Sequence, residues 1–189
     1  MKIYLTDQSD KLSLHLENLK DVPIMTYDKT KLKEKISDII ISSQMKLHDV
    51  DTQSFCNYHI FPGEIMSFLT QWSQEKRAMQ IGDTIVQQVY IPPLKNFSQK
   101  IIFGVRINEV INTSDKKGFS YETLDGHVER GVSSFYLENS PSGLIFTIRT
   151  FSEPSNPFVK LLGPFFSLPY QAYCTQKALE CVRGNLLHE

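Results

Sequence analysis

The sequence predicts an α+β fold in which a curved antiparallel sheet wraps around a long C-terminal helix. Three observations carry that expectation. Five strand-like segments follow one another between residues 81 and 152, the links between them are short and rich in turn residues, and a long helical stretch closes the chain near Gly184.

The strand-like segments are 81–91 (IGDTIVQQVYI), 100–112 (KIIFGVRINEVIN), 117–124, 131–139 (GVSSFYLEN) and 143–152 (GLIFTIRTFS). Pro92 and Pro93, Ser114 and Asp115, Asp125 and Gly126, and Pro141 to Gly143 separate them, and links this short join antiparallel neighbours. Gly126 is expected at positive φ, which a Cβ would penalise. Upstream, 2–6 and 12–16 alternate weakly and read as edge strands or an extended arm. Over 30–45, Leu32, Ile36, Ile39, Ile40 and Met45 recur mostly at spacings of three and four behind a Thr30 N-cap, which predicts an amphipathic helix. Residues 54–61 read as a strand. Pro62 then suits the first turn of a helix carrying Ile65, Met66, Phe68, Leu69 and Trp72. The final helix begins at a Ser155/Asn156 cap with Pro157 behind it, is kinked or restarted at Pro164 and Pro169, and stops at Gly184. This order of elements is that of a helix-grip fold: one domain over 1–189, with a core at 52–185 and an extension at 1–50 holding the amphipathic helix. Such folds usually leave a cavity between sheet and helix.

Composition narrows the function. At 189 residues the chain suits a single domain that needs no staples. Twenty basic and 21 acidic residues give a net charge of -1, so no global field holds nucleic acid or anionic lipid. The three cysteines, Cys56, Cys174 and Cys181, form neither a disulfide framework nor a C-x-x-C pair. No segment is apolar enough to span a membrane and none reads as a signal peptide, which makes a cytoplasmic location the expectation. His48, Asp49 and Asp51 form a run more often found in a solvated loop than at a metal, and no phosphate loop, nucleophile elbow or H-E-x-x-H helix occurs. Neither a metal nor a cofactor is expected.

The run GFSYETLDGHVERG, residues 118–131, is the most distinctive stretch. Strand alternation puts Phe119, Tyr121 and Thr123 on one face and Ser120, Glu122 and Leu124 on the other. His127 and Glu129, two apart, point the same way in an extended segment. Beside Tyr121 they are candidate catalytic residues, an acid/base pair in which the carboxylate raises the histidine's basicity. The plainer reading is corner architecture, with His127 bonding turn carbonyls and Glu129 answering Arg130 or a backbone amide. Tyr121, Thr123, Ser134, Tyr136 and Arg149, which interrupt apolar alternation, are candidate ligand contacts if they line an interior. Parity alone leaves open which sheet face is concave. The stretch 157–170, with Lys160 as its single charge, reads as helix packing, and Gly163-Pro164 as a place where a cavity lid could loosen.

Tyr121, Thr123, Leu124, Gly126, His127, Glu129 and Gly131, then Phe135, Phe151, Ser152, Pro154, Leu162, Gly163, Pro164 and Gln171 together resemble the signature of the domain of unknown function family nineteen-ninety. The resemblance covers 118–183, and Trp72 and Gly82 to Thr84 also fit. It implies a START-like helix-grip domain with a cavity and no established catalysis. Where the family tends to carry acidic residues after the glycine and an arginine before the proline, this chain has Val132, Ser133 and Glu153.

Three functions follow as expectations. The first is binding of a small, mostly apolar molecule between sheet and C-terminal helix. The second is a hydrolase- or cyclase-like enzyme using the same cavity, with His127 as base and Tyr121 or Glu129 as partner. The third is a protein interaction module with a filled core and its contact surface in residues 1–50.

Overall fold

The structure, a computed structural model, describes residues 2–93, 98–155 and 168–188. Among the described residues, eight strands form a single antiparallel sheet: β1 (Lys2–Tyr4), β2 (Lys33–Ser42), β3 (Met66–Thr70), β4 (Thr84–Ile91), β5 (Gln99–Asn112), β6 (Lys116–Thr123), β7 (Glu129–Ser140) and β8 (Gly143–Pro154). Their order is β2-β8-β7-β6-β5-β4-β3, with β1 added beside β5. The helices are α1 (Leu12–Lys20), the short α2 (Gln53–Cys56) and α3 (Gln71–Gln74), and the 21-residue α4 (Leu168–His188). The predicted meander is β4 to β8, and its links fall at the turn residues. Gly126 has φ 86, and the next amide, that of His127, returns to the Leu124 carbonyl at 3.0 Å. Gly126→Ala is therefore expected to cost about 1 kcal/mol. Urea denaturation checks this, and an unshifted midpoint would show that the turn tolerates a Cβ.

Two faces of the sheet are packed differently. On the inner face Phe119 and Phe135 stack at 5.5 Å, and Phe55 and Tyr58 from the α2 region pack against them. Ala178, Leu179, Val182 and Leu186 of α4 complete this core. On the outer face α1 lays Leu12 and Leu16 over Val86 and Ile102. Burying each such large apolar side chain is worth roughly 2 kcal/mol, so both layers hold the sheet's curvature.

Several upstream expectations are corrected. Residues 30–45 do not form a helix. Lys33–Ser42 is a strand running antiparallel to β8, with Ile36 opposite Arg149 and Ile39 opposite Phe146. The isoleucine spacing imitates helical periodicity, while the β-branched residues take a strand once an edge of β8 is available to pair with. Residues 54–61 are not a strand: the Asp51 carboxylate accepts the Gln53 amide at 2.8 Å and starts a helical turn that ends before Tyr58, which sits at φ 69. The helix expected from Pro62 is instead the strand β3, followed by the turn of α3 capped by Thr70, whose Oγ1 accepts the Ser73 amide at 3.2 Å. Of the two alternating N-terminal runs, the first is β1 and the second is helical. The 1–50 segment thus supplies two strands and a helix that pack within the sheet's layers. Gly184 does not end α4; the helix continues because Leu186, 5% exposed, still has core to cover. The Ser155 hydroxyl donates to the His127 carbonyl at 2.6 Å. Asn156, Pro157, Lys160, Leu162, Gly163 and Pro164 lie outside the described residues.

Candidate functional site

The aromatic cluster fills much of the room between sheet and α4, and a pocket of about 190 Å³ remains beside it. Its walls are apolar: Phe61, Ile65 and Met66 ahead of β3, Val89 on β4, Phe103 on β5 and Val128. Its polar groups come from both sides. Gln87 and Tyr121 rise from the sheet, His127 and Glu129 from the β6–β7 hairpin, and Tyr170, Gln171 and Cys174 descend from α4. No lysine or arginine is among the described residues that line it.

At the sheet side, Gln87 donates its side-chain amide to the Tyr58 hydroxyl at 2.5 Å, and the Tyr121 hydroxyl joins Tyr58, Gln87 and Ser133. Burial pushes both phenols above their ordinary range. They stay protonated and offer hydrogen bonds, not charge.

The hairpin side is held by its own backbone. His127 packs its ring on Phe103, centroids 4.1 Å apart. Its Nδ1 lies 2.8 Å from the Glu129 carbonyl oxygen and 3.0 Å from the Glu129 amide nitrogen, so it bonds the main chain through one or the other according to which ring nitrogen carries the proton. The residue keeps some exposed surface, yet its imidazole is desolvated enough to be pushed down to about 4. At neutral pH it is uncharged and a weak base. The Glu129 carboxylate turns elsewhere, accepting from Gln171 Nε2 of α4 at 2.5 Å and from Ser152. Burial raises its proton affinity against those hydrogen bonds and the attraction of Lys35. The two residues share the pocket and meet through the main chain of Glu129. They make no side-chain dyad.

The structure separates the predicted ligand contacts. Tyr121 lines the pocket. Thr123, on the same face and 6% exposed, spends its hydroxyl accepting the Gly131 amide at 3.1 Å, a clamp between β6 and β7. Ser134, Tyr136 and Arg149 point the other way, because Ser133 and Phe135 hold the inner positions of β7 and Ile148 that of β8. Arg149 is exposed, its Nε donating to Glu34 at 2.7 Å while its guanidinium lies over Phe151. Lys116 covers the Tyr136 ring at 3.5 Å. Those three outward residues cannot line this interior. Sequence reasoning did not put forward Gln87, Tyr58 or Gln171 as site residues, although Gln171 stands in the family signature; the signal available for Gln87 was the Gln87-Gln88 pair in the middle of an otherwise apolar strand, where amides need partners. Among the described residues, no three His, Cys, Asp or Glu side chains converge as a metal site would require. No helix of the described residues is long and apolar enough to cross a membrane.

A family model described as domain of unknown function, DUF1990, matches residues 48–180. The chain belongs to that family. A UPF0548 protein of Deinococcus radiodurans is 37% identical over 60 residues, which are 31% of this chain and 30% of that relative. The ginseng major latex-like protein 151 from Panax ginseng superposes with a TM-score of 0.53 at 13% identity, covering 82% of this chain and 97% of that one. The di-domain ARO/CYC StfQ from the steffimycin biosynthetic pathway does so at 0.53 and 10% identity, over 94% of this chain and 55% of that two-domain chain. At these identities the likeness establishes the fold alone, and the DUF1990 chain is a helix-grip domain.

Proposed function

We propose that this DUF1990 domain binds a small, largely apolar, uncharged molecule between its sheet and α4. The observation that carries the reading is an apolar-walled pocket with polar groups at both ends and no cation among the described residues of its lining. Its size sets the ligand's. A cavity of about 150 Å³ holds benzene in another protein, so about 190 Å³ suits one ring with small substituents and falls below the ~300 Å³ at which drug-sized pockets begin. The Tyr121 hydroxyl, the His127 ring and the Glu129–Gln171 pair are the polar contacts that orient it. An anionic ligand would meet the buried Glu129 carboxyl in a site where burial already penalises charge, which disfavours it. The enzyme reading draws less support, since burial pushes the His127 imidazole down to about 4, which makes it a weak base, and its Nδ1 is engaged by the Glu129 main chain.

Phenol and benzamide are expected to raise the melting temperature by mass action, and benzoate not to. Tyr121→Phe should weaken phenol binding by about 1 kcal/mol, roughly fivefold, for the one hydrogen bond removed. Cys174→Trp, which fills the pocket from the helix, should abolish the shift. No stabilisation by any neutral ring compound at saturation, or equal stabilisation of the filled variant, would overturn the reading.

A further inference from the structure

A second concavity, open and about 680 Å³, lies on the other side of Phe61 and Met66. Met66, Ser67, Phe68 and Leu69 line it in succession. Successive strand residues project to opposite faces, so a groove touching all four follows the edge of β3 and not one of its faces.

That edge is open. β3 ends the strand order, with β4 as its one partner among the described residues. The Tyr90 amide donates to the Ile65 carbonyl at 2.9 Å, and alternation along the antiparallel ladder then directs Ser67 and Leu69 toward β4. Met66, Phe68 and Thr70 therefore turn their amides and carbonyls outward. The Met66 amide reaches the Pro62 carbonyl at 3.3 Å, and the Thr70 carbonyl accepts from Ser73 Oγ at 2.9 Å. The amide and carbonyl of Phe68, at the centre, have no partner among the described residues.

Two further observations mark the groove as a place for a ligand. Trp72 lines it, is 1% exposed, and has an indole N–H with no acceptor among the described residues, a buried donor that natural structures rarely leave unmet. The charges along it are of one sign among the described residues: Lys76 and Arg77 line it, and no carboxylate does. Arg77 is already paired with Asp83 at 2.5 Å, whereas the exposed Lys76, at φ 53, has no carboxylate partner among the described residues.

We propose that this edge receives an extended acidic peptide segment of a partner protein, laid beside β3 as an additional strand. Main-chain hydrogen bonds to Phe68 supply the register, an acidic side chain meets Lys76, and a peptide acceptor satisfies Trp72. A five-residue strand offers about 17 Å of edge, so a segment of about five residues fills it. The inference does not depend on the occupancy of the interior pocket.

The test uses the full chain and a capped pentapeptide of alternating valine and glutamate. Trp72 is the single tryptophan, so its emission reports on this groove, and the Phe68 amide is followed by NMR. Saturable change in Trp72 emission with slowed exchange of the Phe68 amide is the expected result. N-methylating the peptide amides that face β3 should weaken binding about tenfold, while methylating the other set leaves it unchanged. Lys76→Glu should weaken it several-fold with an unaltered melt. Equal affinity of both methylated peptides, displacement of the peptide by benzoate alone at similar concentration, or no response at millimolar peptide would overturn the proposal.

Discussion

Gly131→Ala is expected to cost about 3 kcal/mol or more, enough to leave the chain largely unfolded at moderate temperature. Gly131 stands opposite Ser152 where β7 leaves the hairpin. Its φ is +146, and a Cβ built there would lie 2.0 Å from the Phe151 carbonyl oxygen and 2.9 Å from the Ser152 Cα. Both neighbours are backbone of a paired strand, so the clash cannot be relieved by a rotamer change. Relief means separating β7 from β8, and with it the Thr123 clamp on the Gly131 amide. The effect should exceed that of Gly126→Ala severalfold, because the Gly126 expectation rests on its φ of 86 while Gly131 adds a backbone clash to its positive φ. Urea denaturation of the two variants side by side decides the matter: a Gly131→Ala loss below about 1 kcal/mol would mean that the strands are not this close.

Acidification should destabilise the protein through His127, by up to about 3 kcal/mol between pH 6.5 and about 4. In the fold the imidazole is held neutral down to about 4, while in the unfolded chain it takes a proton near its ordinary 6.5. A folded value below the unfolded one means that the unfolded state binds the extra proton in this window. Stability is then full above 6.5 and falls as pH drops. Glu129 acts with the opposite sign. Its buried carboxyl favours the protonated form, so it opposes folding at higher pH and that penalty is relieved on acidification, offsetting part of the His127 slope. Denaturation midpoints of the parent and of His127→Gln, measured from pH 7.5 to 4, separate the two. The variant should lose the downward limb and retain the Glu129 rise; the same downward limb in both proteins would assign it to other groups.

The meander was legible because 81–152 carries alternation and turn chemistry together, each sufficient to exclude a helix there. Residues 30–74 were not. Ile36, Ile39 and Ile40 satisfy helical spacing, and only the distant edge of β8, about a hundred residues on, makes a strand of them. The same long-range dependence hid the interior. Alternation separated Ser133 from Ser134 but could not say that Ser133 would join Tyr121, since the concave side is decided by where α2 and α4 pack. His127 and Glu129 both line the interior pocket, yet their side chains take different partners. What the local sequence could not show was Gln171, which arrives from α4 and takes the Glu129 carboxylate.

Phe61 and Met66 form a party wall, one side facing the interior pocket and the other the β3 groove. Any occupant that moves either side chain alters the room available across the partition. Thermodynamic reciprocity then requires the two occupancies to influence each other equally, whichever arrives first.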